Sequence, residues 1–166
     1  MKGKSSRDLA LQVLNKLSTK TMHPHLYLDD LFRKNEDLAG RDRAFVSHLV
    51  LGVLRWRGRL DWVIDQKTAF SIKKISPTIR NILRLALYQI FYMDRVPDSA
   101  AVNEAVKQAK TSRNRHGLAF VNGLLRTVCR HKEGLPLPDR EKALPHHLAV
   151  RYAYPEWLVN KWLKEW

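Results

Sequence analysis

A single cysteine, Cys129, stands in the 166 residues, which excludes an internal disulfide and any cysteine-rich zinc site. Long apolar runs are missing too. The longest stretch without Asp, Glu, Lys or Arg is the eleven residues from Ala44 to Leu54, well short of the ~20 that a membrane helix needs. Met1-Lys2-Gly3-Lys4-Ser5-Ser6 leads into an amphipathic segment, so no signal peptide is read there. There is no glycine-rich phosphate loop, no nucleophile elbow and no dinucleotide fingerprint. Strand-period alternation and internal repeats are absent as well. With 45% hydrophobic residues and five each of Trp, Tyr and Phe, the chain is too apolar for disorder. These absences predict a cytoplasmic, soluble, helical globule with no recognisable active site.

Negative charge is scarce and unevenly placed. Sixteen Asp and Glu face 30 Lys and Arg, a formal net charge of +14. Gln66 to Met93 carries five cations and no acid, and Ala105 to Lys132 seven and none, whereas Asp29, Asp30, Glu36 and Asp37 cluster elsewhere. Segregation of this kind makes a basic patch, and a patch of Lys and Arg recruits a polyanion by releasing its counterions.

Apolar residues recur at helical spacing along most of the chain. Ser5 or Ser6 caps a first helix with Leu9, Ala10, Val13, Leu14 and Leu17 on one stripe. A short second helix is expected over residues 25–34 and a long third over 41–65, with a bend at Arg57 and Gly58. Gly52, between the apolar ridges of that third helix, lets another helix approach closely. Ser76-Pro77 starts a fourth helix that is apolar on most sides and hence central, with Arg80 and Arg84 on a narrow polar edge. Asp98 or Ser99 caps a fifth, small-residue helix through Ala109. A basic loop over residues 113–116 precedes a sixth, which runs through Asn122-Gly123 because its flanks keep helical period. Pro136, Pro138 and Pro145 mark a linker over 134–145, and Pro155 opens a last helix rich in tryptophan. The fold class is all-α: a helical bundle with a proline-containing linker and a C-terminal helix.

Few residues suggest catalysis. His23, His25, Asp29 and Asp30 match no closed metal-ligand spacing and read as capping and turn residues. His146-His147 reads as linker. Cys129 sits at helical spacing from Leu125 as a small buried hydrophobe, although Arg126, Arg130 and His131 around it leave a nucleophilic role open.

Arginine is the better signal, because its planar fork suits phosphate and stacks on bases. Three groups emerge. Lys2, Lys4 and Arg7 lie at the first helix's N-terminus, and Arg41, Arg55 and Arg59 lie along one side of the third helix. Arg113 and Arg115, with His116 beside them, form the basic loop, and Arg126 and Arg130 share their surface. Trp56 either stacks an unpaired base or packs in the core at the bend.

Asp42-Arg43-Ala44-Phe45 and Leu49-Val50-Leu51-Gly52-Val53-Leu54-Arg55 are followed in order by further blocks. These are Leu85-Ala86-Leu87-Tyr88-Gln89, Val96-Pro97, Ala101-Val102-Asn103-Glu104-Ala105-Val106 and Phe120-Val121-Asn122-Gly123-Leu124-Leu125-Arg126. The set resembles the NusB-like domain of Sun/Fmu-type rRNA methyltransferases. NusB antitermination factors share two of the blocks. Gly52-Val53-Leu54-Arg55, Leu60-Asp61 and the tail Tyr154-Pro155-Glu156-Trp157-Leu158-Val159 favour the methyltransferase branch.

The resemblance implies an RNA-binding domain over residues 1–133, then a linker and helix over 134–166 leading to a catalytic domain this chain lacks. It implies small-subunit rRNA as partner, together with a methyltransferase catalytic domain or a ribosomal protein, and no membrane. In that family S-adenosylmethionine and a cysteine nucleophile serve the catalytic domain, so this chain alone is expected to have no cofactor and no catalysis. The alternative is a NusB-like antitermination adaptor binding RNA and a ribosomal protein.

Overall fold

A helix apolar on most sides must sit in the middle of its bundle, and α4 (Pro77–Tyr92) does. The computed structural model describes residues 4–20, 22–112, 115–134 and 137–165, without the side chains of 115 and 134. Around α4 pack α1 (Ser6–Thr19), α3 (Gly40–Gln66), α5 (Asp98–Thr111) and α6 (Arg115–Arg130), while α2 (Pro24–Lys34) lies against α1 and α3. α7 (Leu144–Tyr152) packs on α3, and α8 (Glu156–Glu165) follows it. No strand occurs among the described residues, so the all-α reading holds.

Helix starts follow their sequence signals. Ser5 and Asp8 form a reciprocal capping box on α1, and Ser76 accepts from the Ile79 amide at 3.4 Å with Pro77 at the first position of α4. Pro97, not Asp98 or Ser99, is the residue flanking α5, which places Asp98 in the first turn near the helix's positive end. Asn122 and Gly123 lie inside α6, as their spacing predicts.

Three polar side chains of α4 are buried, Asn81, Arg84 and Gln89, and each has hydrogen-bond partners; Gln89 accepts from Arg7 and donates to the Leu85 carbonyl. Arg84 is not an edge residue: it is 6% exposed and donates Nε and Nη2 to the Asp61 carboxylate at 2.6 and 2.8 Å. Its Nη1 donates to Asn81 Oδ1 at 3.0 Å, and Asn81 Nδ2 donates to Asn15 and Ser18 of α1. One network therefore keys α1, α3 and α4 together, with the bidentate pair as its strongest link.

Gly52 meets its expectation in detail. A Cβ there would overlap the ring of Tyr88, whose hydroxyl sits 3.0 Å from His48 Nε2. α3 runs as one continuous helix through Arg57 and Gly58. Burial of Leu60, Val63 and Ile64 outweighs the roughly 1 kcal/mol that an interior glycine costs.

The tail differs most from its reading. Pro145 and His146-His147 belong to a helix, α7, with Pro145 in its first turn, where a missing amide costs nothing. His147 is 8% exposed, and its Nδ1–H donates to the Pro138 carbonyl at 2.7 Å. α7 ends on Ala153, which takes the left-handed conformation (φ 53°) above Gly58. Pro155 then precedes α8, as expected.

Candidate nucleic-acid interface

The arginines proposed for RNA contact divide by what already holds them. Arg7 is half-buried. Its Nε donates to Gln89 Oε1 at 2.6 Å, and its guanidinium lies 5.3 Å from the Phe45 ring centre, so it ties α1 to α3 and α4. Lys4 is exposed, with Nζ donating to Gln12 at 3.0 Å. Lys2 and Arg113 lie outside the described residues, and Arg115 opens α6 with its side chain outside the description.

The third-helix group does not form one free row. Arg41 is exposed to solvent. Arg55 reaches the other way: its Nη1 donates to the Tyr152 carbonyl at 2.9 Å and lies 3.5 Å from that of Ala153. Its guanidinium is held 4.9 Å from both the Trp56 and Tyr154 rings. Arg59, one turn on, is half-buried beside Tyr92, with Nη1 enclosed and unpartnered. Burial lowers the Arg59 guanidinium from its ordinary pKa, opposed by Tyr92, and raises the Tyr92 phenol, opposed by Arg59 and Arg55. Trp56 takes its packing role, stacked on Tyr92 at 4.5 Å between ring centres.

The exposed cations of α6 share one face. His116, Ala119, Gly123, Arg126 and Arg130 are exposed along one stripe, the 3- and 4-residue spacing of a single helix face. Arg126 and Arg130 edge a groove of about 570 Å³ opposite Asp98, Ser99 and Asn103 at the start of α5. A second cleft, about 670 Å³, continues past Arg130 to His131, Lys132 and Lys67. Cys129 lies between them. Burial, with Asp98, pushes its thiol up against the weaker pull of Lys132, away from the thiolate a nucleophile needs.

At the opposite end of α6 lies a feature the sequence reading missed. Phe70, 43% exposed on the loop after α3, stacks on Phe120 with ring centres 5.8 Å apart. Lys74, Ser76 and His116 complete a groove of about 280 Å³ around the pair. Aromatic faces beside cations are what an unpaired nucleotide uses, the base by stacking and the phosphate by charge. The signal was present: Phe120 follows His116 by one turn, directly after the basic loop.

Acids enter these grooves as well, Asp98 in the first, paired with Lys132 at 3.1 Å, and Glu133 in the second, while a further group lies on α2 and the loop after it. Asp30, held low by a hydrogen bond from Lys34, is among them. Among the described residues no group of His, Cys, Asp or Glu could hold a metal, and no helix is long and apolar enough to cross a membrane.

The model of the NusB family matches residues 4–130. A probable ribosomal RNA small subunit methyltransferase B of Bacillus subtilis is 36% identical over 162 residues, covering 98% of this chain and 35% of that protein. The chain thus spans about a third of the length of that relative. A transcription antitermination protein NusB of Ruminiclostridium cellulolyticum is 34% identical over 128 residues, covering 76% of this chain and 88% of that protein. A chain in the crystal structure of antitermination factors NusB and NusE in complex with double-stranded RNA shares the fold. It superposes with TM-score 0.69 at 20% identity, over 75% of this chain and 93% of that one.

Proposed function

The chain belongs to the NusB family, and from that premise we propose that it is the RNA-binding domain of a Sun/Fmu-type small-subunit rRNA cytosine-5 methyltransferase. Its task is to hold rRNA for a catalytic domain, in the cytoplasm, and it uses no S-adenosylmethionine of its own. The observation that carries this reading is the extent of likeness. The methyltransferase match covers 98% of the chain and therefore includes α7 and α8, whereas the NusB factor match covers 76%. α7 is packed onto α3, and α8 onto α7.

The α6 stripe and the Phe70–Phe120 groove supply the binding surface. Arg126, Arg130 and Lys74 neutralise phosphates, His116 adds a donor, and the paired rings take an unpaired base. Arg41 and Lys4 extend the surface. Arg7 and Arg55 are held by other elements and Arg59 is half-buried beside Tyr92, so these three brace the bundle behind that surface. Filter binding of a small-subunit rRNA fragment tests the reading: affinity that falls steeply with salt is expected, and no binding at low salt refutes it.

A second reading, an antitermination adaptor, draws on the NusB factor of which this chain covers 88%. It requires a ribosomal protein as partner. Capture of a ribosomal protein, with none of a methyltransferase catalytic domain, would favour it over the first.

A further inference from the structure

Phosphate contacts position an RNA, and contacts to base edges specify it. The cations and the Phe70–Phe120 pair do the first, because stacking accepts any base. The groove of about 570 Å³ between α5 and α6 has the parts for the second. Its size is that of a small-ligand site. Val102, 8% exposed, and the half-buried Cys129 are its apolar lining. Ser99 and Asn103, one turn apart on α5, face Arg126 and Arg130, one turn apart on α6.

Asn103 is a residue that the fold does not explain. It lies exposed in the interior of α5, where asparagine is a poorer helix former than alanine. Its amide makes no hydrogen bond among the described residues, so no local contact offsets that cost, and the Ser99 hydroxyl has no partner there either. Asp98 differs. Lys132 donates to its carboxylate at 3.1 and 3.4 Å, which neutralises the acid at the end of the groove.

From this we infer that the α5–α6 groove takes an unpaired adenosine, a second nucleotide beyond the one at the Phe70–Phe120 pair, and that Asn103 reads its base. The base lies against Val102 and Cys129. The Asn103 amide donates Nδ2–H to adenine N7 and accepts from the N6 amino group through Oδ1. Arg126 and Arg130 hold the flanking phosphates. An amide carries one donor beside one acceptor, and that edge of adenine returns one acceptor beside one donor. Guanine presents two acceptors on the same edge and suits an arginine, while the pyrimidines have no N7. The inference rests on the proposed function and names the feature of the RNA that its binding surface selects.

Short single-stranded RNAs test the inference, through filter binding and through alkylation of Cys129, the chain's single cysteine. One strand is all uridine, and two others carry adenosine or guanosine at one position. The adenosine strand should bind about tenfold tighter than the all-uridine strand, within the range of a bidentate base contact. Asn103→Ala should abolish that preference and leave the all-uridine affinity as it was. Asn103 is exposed, so the substitution leaves the core intact. With the adenosine strand at about ten times its dissociation constant, iodoacetamide should modify Cys129 about tenfold more slowly, in proportion to the free chain that remains. Equal binding of the strands, or unchanged alkylation, overturns the inference. So does a preference that survives Asn103→Ala, which is the outcome if purines merely stack better on the Phe70–Phe120 pair. A guanosine preference lost in Arg126→Ala also overturns it and gives the reading role to arginine. The underlying reading fails separately: a chain that binds none of the strands at low salt loses the RNA proposal, whereas one that binds all of them alike loses only this inference.

Discussion

Arg55→Ala separates the two roles open to that side chain, phosphate ligand or pin of the tail. The structure gives Arg55 a hydrogen bond to the Tyr152 carbonyl at 2.9 Å and two flanking aromatic rings, each 4.9 Å away. A hydrogen bond from a charged group contributes about 1.5–3 kcal/mol when shielded, but this residue is exposed, which reduces the figure to about 0.5–1 kcal/mol. Each exposed cation–π contact adds about 0.5 kcal/mol. The sum, about 1.5–2 kcal/mol, acts on the α7–α8 turn and not on the whole bundle, because Val150 and Val159 keep their buried contacts. At about 1.4 kcal/mol per tenfold, α7 and α8 amides should exchange about 10- to 30-fold faster. The α4 amides should be unchanged, and rRNA affinity should stay within about twofold of wild type. A tenfold loss of rRNA affinity with unaltered exchange would refute the reasoning and restore Arg55 as a phosphate ligand.

Three further outcomes are expected. Asp61→Ala leaves the buried Arg84 unpaired and should cost about 3 kcal/mol, lowering the melting temperature by about 6–12 °C in calorimetry, while Asp61→Ala with Arg84→Met recovers most of the loss. Phe120→Ala removes one face of the Phe70 stack and should weaken binding of unpaired rRNA by about 1–2 kcal/mol in filter assays, with thermal stability little changed because Phe120 is only partly buried. Cys129, with its thiol raised by burial, is mostly protonated at neutral pH, so alkylation by iodoacetamide should be slower than that of a free cysteine and accelerate as pH rises.

The parts of the fold that were legible from residues alone are those set by local rules. Ser76-Pro77 marks a helix start in any context, and the helical period around Asn122-Gly123 outweighs the turn preference of that pair. Gly52 could be assigned to a close approach because it interrupts a buried face, although only the structure shows that the Tyr88 ring fills the gap. The helix continues through Gly58 because tertiary packing overrides a single residue's propensity. α7 was missed because proline was read as a breaker, whereas in a first turn it is compatible with a helix.

The candidate site was less legible, and the reason is sequence distance. Whether an arginine faces solvent or its own fold depends on partners far along the chain: Arg55 meets Tyr152, 97 positions away, and Arg7 meets Gln89, 82 away. Spacing could place these arginines on one helix side but could not say what lies across from it. Arg126 and Arg130 remain exposed, with Thr127 of the same helix near Arg130. Phe70 stood alone in a loop, so its pairing with Phe120 was invisible before α6 was placed.

The salt dependence of rRNA binding tests the central claim most directly. With Lys74, Arg126 and Arg130 neutralising about three phosphates, log K against log salt for a small-subunit rRNA fragment should have a slope near −2, taking about −0.7 per phosphate on single strands. Arg126→Ala with Arg130→Ala should flatten it by about 1.4, again at about 0.7 per phosphate lost. A flat slope for the wild-type chain, or a double variant that binds as the wild type does at every salt concentration, would contradict the account.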